Sequence, residues 1–173
     1  IQLRDNPVCC ISDIHIGVHQ NGGVWHKIVL EWAHWLDKQL KKKKIQDIIL
    51  CGDLFHYRDE IAVNTIHIVT EFFNILKDYN IIIIVGNHDA YYKDRSDVNS
   101  LSILSGWKNI TVISDVATTT AFGRSLAFCP WGVKMDDIPR SDIIFGHFEI
   151  ENFKFNYAKV CSKGTRVKDL LAK

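Results

Sequence analysis

Asp13 and His15, Asp53 and His56, the run Gly86-Asn87-His88-Asp89, and Gly146-His147 follow one another in that order, each block standing at the end of an apolar run. Carboxylate, imidazole and carboxamide together are a donor set for divalent cations. Hydrolysis of a phosphodiester needs a nucleophile at neutral pH and charge stabilisation at both the attacking and the leaving oxygen, and two cations about 3.5–4 Å apart supply both. A carboxylate touching both ions would fix their spacing, while His nitrogens and an Asn carbonyl would complete each shell without adding charge. Asp13, His15, Asp53, Asn87 and His147 are the expected metal ligands.

The elements that must position them are strands. Val8 to Ser12, Asp47 to Cys51, Ile81 to Val85 and Ile143 to Phe145 are apolar enough to be buried on both faces of a sheet. In an open α/β sheet the crevice outside the carboxyl ends of the strands is where ligands bind, so residues far apart in sequence converge there. Ile28, Val29, Trp32, Leu36 and Leu40 recur at helical spacing with Trp25, which predicts an amphipathic crossover helix over 24–42 with its tryptophans in the core. Ile66, Val69, Phe73 and Leu76 predict a second crossover within 60–79. The chain therefore starts βαβαβ. Beyond it, Val98 to Leu104 reads as a short helix, and Thr111 to Ser114, Ala117 to Ala121 and Ser125 to Phe128 as strands, with a tight turn at Gly123-Arg124. A second sheet stacked on the first, flanked by helices, is the expected α/β two-sheet sandwich.

The blocks differ in what they say alone. Asp-x-His or Gly-Asp after a strand can simply begin a turn. Gly86 to Asp89 holds four polar, turn-compatible residues directly after a buried strand, more than a turn requires.

This wording resembles the calcineurin-like metallophosphoesterases, and within them the nuclease subunits of Mre11 and SbcD type, with the T4-type phage recombination endonuclease branch nearest. The resemblance rests on Gly52 to His56 (GDLFH), Gly86 to Tyr92 (GNHDAYY), Cys129-Pro130-Trp131 and Gly146 to Ile150 (GHFEI), and it spans nearly the whole chain. Phosphatases of the superfamily carry Asp-Arg-Gly shortly after Gly-Asp, whereas Leu54-Phe55-His56 follows Asp53 here. The resemblance implies that Asp13 and His15 hold one metal, that Asp53 bridges, and that Asn87 and His147 hold the other. His88 would contact the scissile phosphate or protonate the leaving oxygen. His56 would position the phosphodiester, against the alternative of an ordinary loop histidine. Asp89 is expected to orient a ligating histidine. Two divalent ions, Mn2+ first, are implied as cofactors, with DNA, an SMC-like ATPase of Rad50 or SbcC type and a second copy of the chain as partners. The implied activity is metal-dependent exonuclease or endonuclease cleavage in DNA recombination and repair. A phosphodiesterase for a small nucleotide and a non-catalytic binding module on the same fold are the rivals.

One family block, Gly-His-x-His, has no counterpart after His147. His26, His34 and His67 fall on predicted surface helices and His19 in a loop, so none is an obvious substitute. A single domain over 1–173, cut short on its C-terminal side, is the expectation. Composition fits one substantial core, with 47% apolar residues in 173. Five cysteines without paired spacing, three of them (Cys9, Cys10, Cys51) in predicted buried strands, argue for reduced thiols in a cytoplasm and against a disulfide framework. Cys-x-x-Cys is absent, which excludes a zinc knuckle, and no apolar run approaches the ~20 residues of a membrane span. The net charge of +1 leaves nucleic-acid binding to local patches. Arg58, Lys93 and Arg95 follow the metal blocks and are candidate DNA contacts, with Tyr91 and Tyr92 as stacking residues or pocket wall. Lys41 to Lys44 reads better as a solvated helix end.

Overall fold

The computed structural model describes residues 1–154 and 157–173. Strands β1 (Val8–Ile11), β2 (Asp47–Leu50), β3 (Asn80–Ile84) and β4 (Ile110–Ile113) form a parallel sheet in that order. From β1 the chain passes through the short turn α1 (Val18–Asn21) into α2 (Gly23–Lys43), and α3 (Val63–Ile75) links β2 to β3. A second sheet takes β5 (Ala117–Ala121), β6 (Arg124–Cys129) and β7 (Ile143–Gly146), antiparallel between the first pair and parallel between the second.

The isoleucine run of β3 encodes two layers at once. Ile81, Ile83 and Val85 pack with Leu36, Val69, Phe72 and Phe73 beneath the helices. Ile82 and Ile84, with Ile49, meet Leu126 and Phe128 of the second sheet. Strands of a parallel sheet covered on both faces have no polar side to alternate with, so such a run is what burial selects. The expected two-sheet sandwich flanked by helices is the observed architecture.

Several local expectations are corrected. β1 and β7 lie at sheet edges and are only partly covered; Cys10 is exposed, and so is Ile143. Trp25 is 42% exposed and stacks on His19, while Trp32 does pack against Phe72. His26, expected on a surface, is buried and faces the Thr65 hydroxyl across the α2–α3 contact. Periodicity marks a helix face, yet the neighbour that covers it comes from another part of the chain. The expected helix at 98–104 is a 3-10 turn, Ser100–Leu104. The β5–β6 turn centres on Phe122-Gly123, one residue earlier than expected, with both residues in left-handed conformation, as a two-residue hairpin requires. All five cysteines are free thiols, and none of the described helices is long and apolar enough to cross a membrane.

Candidate metal centre

The loops that leave β1 and β2 continue to pair after the strands end. The Asp13 and His15 main-chain N–H groups donate to the Gly52 and Asp53 carbonyls at 3.1 and 3.0 Å, and Ile16 donates to Leu54 at 2.7 Å. This extension fixes Asp13 and His15 beside Asp53. All three take left-handed φ, 58°, 49° and 56°, a conformation that costs a residue bearing a Cβ about 1–2 kcal/mol. Such strain persists where surrounding structure over-determines it, and functional sites are where it gathers.

Glycines allow the loops to close on one another. A Cβ on Gly86 would overlap the Asp53 carboxylate and main-chain nitrogen, and one on Gly52 would overlap the His147 ring. Gly86→Ala is therefore expected to destabilise the fold by about 3 kcal/mol, the upper range for overpacking, and to weaken metal binding through Asp53. Urea unfolding with and without Mn2+ checks this; a midpoint within error of wild type would count against the packing described.

The side chains converge in a recess of about 500 Å3. Asp53 Oδ2 lies 3.6 Å from His15 Nε2 and 3.5 Å from His147 Nε2, and Asp13 Oδ1 lies 3.7 Å from His15 Nε2. These separations are too long for hydrogen bonds. They are close to the ~3.0–3.4 Å between neighbouring ligands on one cation with bonds of about 2.1 Å. His147 Nδ1 sits 2.8 Å from the Cys51 carbonyl, which can only accept, so that nitrogen carries the proton. In the neutral ring His147 Nε2 then presents a lone pair to Asn87 Oδ1 at 2.8 Å. Two acceptors facing each other with a carboxylate beside them fit a cation held between them. Donor atoms of Asp13, Asp53 and His147 form one cluster and those of His15, His56 and His88 a second. The chemistry of this donor set fits divalent metal.

His88 is held by its main-chain N–H, which donates to Asp53 Oδ1 at 2.9 Å, and by its ring Nδ1, which bonds the His56 carbonyl, and Nε2 has no hydrogen-bond partner among the described residues. Burial first, then the His15, His88 and His19 imidazoles, hold the His56 pKa below its ordinary value against the pull of Asp53.

Asp89 corrects an expectation. Among the described residues its carboxylate bonds no histidine ring: fully buried, it accepts the main-chain N–H groups of Asp53 (2.9 Å), Phe55 (3.0 Å) and Gly86 (3.0 Å). Burial pushes its pKa up to about 6, with a contribution from Asp53, against those three hydrogen bonds. Asp89 thus ties the Gly52 block to the Gly86 block. Nothing local in the sequence signals this, because two donors come from a loop 34–36 residues away.

A cleft of about 1060 Å3 adjoins the recess. Arg58, Tyr91 and Lys93 of the expected DNA contacts line it, whereas Tyr92 and Arg95 do not. The Arg95 guanidinium lies 3.9 Å over the Tyr92 ring and pairs with Asp97. Asp59, Glu60 and Glu149 also line the cleft, and Asn87, His88, Trp131 and Glu149 belong to both cavities. Trp131 and Glu149 carry no expected role, although CPW and GHFEI contain them.

A family model described as calcineurin-like phosphoesterase matches residues 7–166. Exonuclease subunit 1 of Enterobacteria phage T4 is 29% identical over 156 residues, 84% of this chain and 46% of that protein. An uncharacterized protein of Acanthamoeba polyphaga mimivirus is 28% identical over 109 residues, 59% of this chain and 8% of that protein. The chain thus spans less than half the length of these relatives. The crystal structure of the Pseudomonas putida nuclease MPE aligns with a TM-score of 0.44 at 23% identity, over 61% of this chain and 46% of that one.

Proposed function

The chain belongs to the calcineurin-like phosphoesterases, and from that premise we propose that it is the catalytic part of a metal-dependent DNA nuclease subunit. The observation that carries the reading is the position of Asp53, whose Oδ2 lies nearly equidistant from His15 and His147. Asp13 and His15 would hold one ion, Asn87 and His147 the other, with Asp53 between; Mn2+ is the proposed metal, which this oxygen and imidazole set accommodates. When bound, the ions supply a nucleophile at neutral pH and offset charge on the transferring phosphate. The loops hold the ligands apart at the spacing described. His88 presents Nε2 to the scissile phosphate or the leaving oxygen, and His56 positions the ester beside it.

Similarity to the T4 exonuclease subunit supports DNA as substrate. A role in recombination and repair, an SMC-like ATPase as partner and a second copy of the chain are proposed on the same resemblance. The five free thiols accord with a cytoplasmic setting, the host's if the gene is a phage's.

Cleavage of linear DNA in Mn2+ against turnover of bis-p-nitrophenyl phosphate tests the reading. Brisk small-ester turnover with intact DNA would reject it. The cleft's three carboxylates against two cations favour that second reading, a small-phosphodiester hydrolase. His88→Ala is expected to lower kcat about 10²–10³-fold with Mn2+ affinity unchanged, the range of one positioned proton-transfer group. Calorimetric titration with single-turnover kinetics checks this, and full activity would remove His88 from the mechanism.

A further inference from the structure

We propose that Trp131 is the platform on which an unpaired nucleobase beside the scissile phosphate stacks. The inference rests on the nuclease reading and names what its mouth selects. Four described residues line both the metal recess and the cleft: Asn87, His88, Trp131 and Glu149. A substrate that reaches from the recess into the cleft meets these four residues.

Trp131 is held rigidly there. Its main-chain N–H donates to the Val85 carbonyl at 2.8 Å, at the end of β3, and its indole N–H donates to the Lys93 carbonyl at 2.9 Å. The adjoining Gly132, at φ 80°, admits the Asp94–Arg95 main chain at a distance that leaves no room for a Cβ. The indole stands at 70° to the His147 ring with centroids 6.3 Å apart, and both rings line the recess. It is half-buried, with surface left to cover.

Charge decides which part of a nucleotide chain meets that surface. Glu149 is exposed at the same mouth, and neither Asn87 nor Trp131 carries charge. The cations, Arg58 and Lys93, line the cleft without reaching the recess. A second phosphate at the mouth would face a carboxylate, whereas a base would face an indole. A sequence-tolerant contact with any base is what stacking provides. A base within a duplex already has both faces covered, so the platform takes a nucleotide in a single strand or at a frayed end.

The test uses the full-length protein in Mn2+ with a single-stranded oligonucleotide of one repeated base, in which one abasic residue is walked along the chain. Wild-type kcat/KM is expected to fall about tenfold for a bond adjoining the abasic residue, within the ~1–3 kcal/mol of one stacked base. Trp131→Phe keeps this response. Trp131→Leu loses about tenfold on the intact strand and shows no further loss at the abasic position. Anisotropy titrations of both strands in Ca2+ give the same comparison without turnover. A Leu variant that slows intact and abasic substrates by equal factors, or a wild type indifferent to the missing base, overturns the proposal while leaving the nuclease reading in place. Failure of the wild type to cut any DNA overturns both.

Discussion

Asp53→Asn is expected to lower Mn2+-dependent hydrolysis at least about 10³-fold, equivalent to roughly 4 kcal/mol of transition-state stabilisation. The amide is nearly isosteric and can still accept the His88 main-chain hydrogen bond that Asp53 Oδ1 accepts at 2.9 Å. It cannot supply the negative charge that two cations share. His15 and His147, at 3.6 and 3.5 Å from Oδ2, would keep their places and lose the group between them. Stability without metal should move the other way. Asp53 is buried, 3% exposed, with the Asp89 carboxyl bonded to its own main-chain nitrogen and Asp13 across His15. Removing one of several crowded carboxylates relieves repulsion that only a cation otherwise offsets, an instance of function held at the expense of stability. Thermal melts should therefore show a metal-free variant at least as stable as wild type, with most of the Mn2+-induced gain abolished. Turnover near wild type at saturating Mn2+ would sink the bridging role.

The sequence discloses the blocks of this site because each lies in a loop at the carboxyl end of a strand, where polar residues directly abut a buried run. Ile81 to Val85 followed by Gly86 to Asp89 is such a boundary, and the strand and loop stand where expected. What stays hidden depends on pairings between distant segments. His26 is buried because α3 covers it through Thr65, and Cys10 is exposed because β1 ends the sheet. Hydrophobic spacing identifies a face and not its neighbour. The split of the donor atoms into two clusters is hidden for the same reason: His15 and His56, from separate blocks, meet His88 with ring centroids 4.8 and 5.5 Å from it.

The opposite stability response is expected one hydrogen bond away. Asp89→Ala should destabilise the protein by about 3–5 kcal/mol, the range for removing one partner of a buried charged network. Three main-chain N–H groups, from Asp53, Phe55 and Gly86, would lose their acceptor where water does not reach, and each unsatisfied donor costs about 1–3 kcal/mol. Asp89→Asn should recover only part of this. Oδ2 accepts from both Asp53 and Gly86 while Oδ1 accepts from Phe55, so an amide must turn its NH2 toward at least one N–H donor. Because Asp89 bonds the main chain on both sides of the centre, its loss frees the Gly52 and Gly86 loops from each other, and Mn2+ affinity should fall with stability. Urea unfolding of the metal-free proteins makes the comparison direct. Asp53→Asn unchanged or stabilised and Asp89→Ala strongly destabilised would separate the carboxylate that serves the ions from the one that builds the frame. If both variants lost stability equally, Asp53 would belong to the frame as well, and the assignment of its charge to metal would fail.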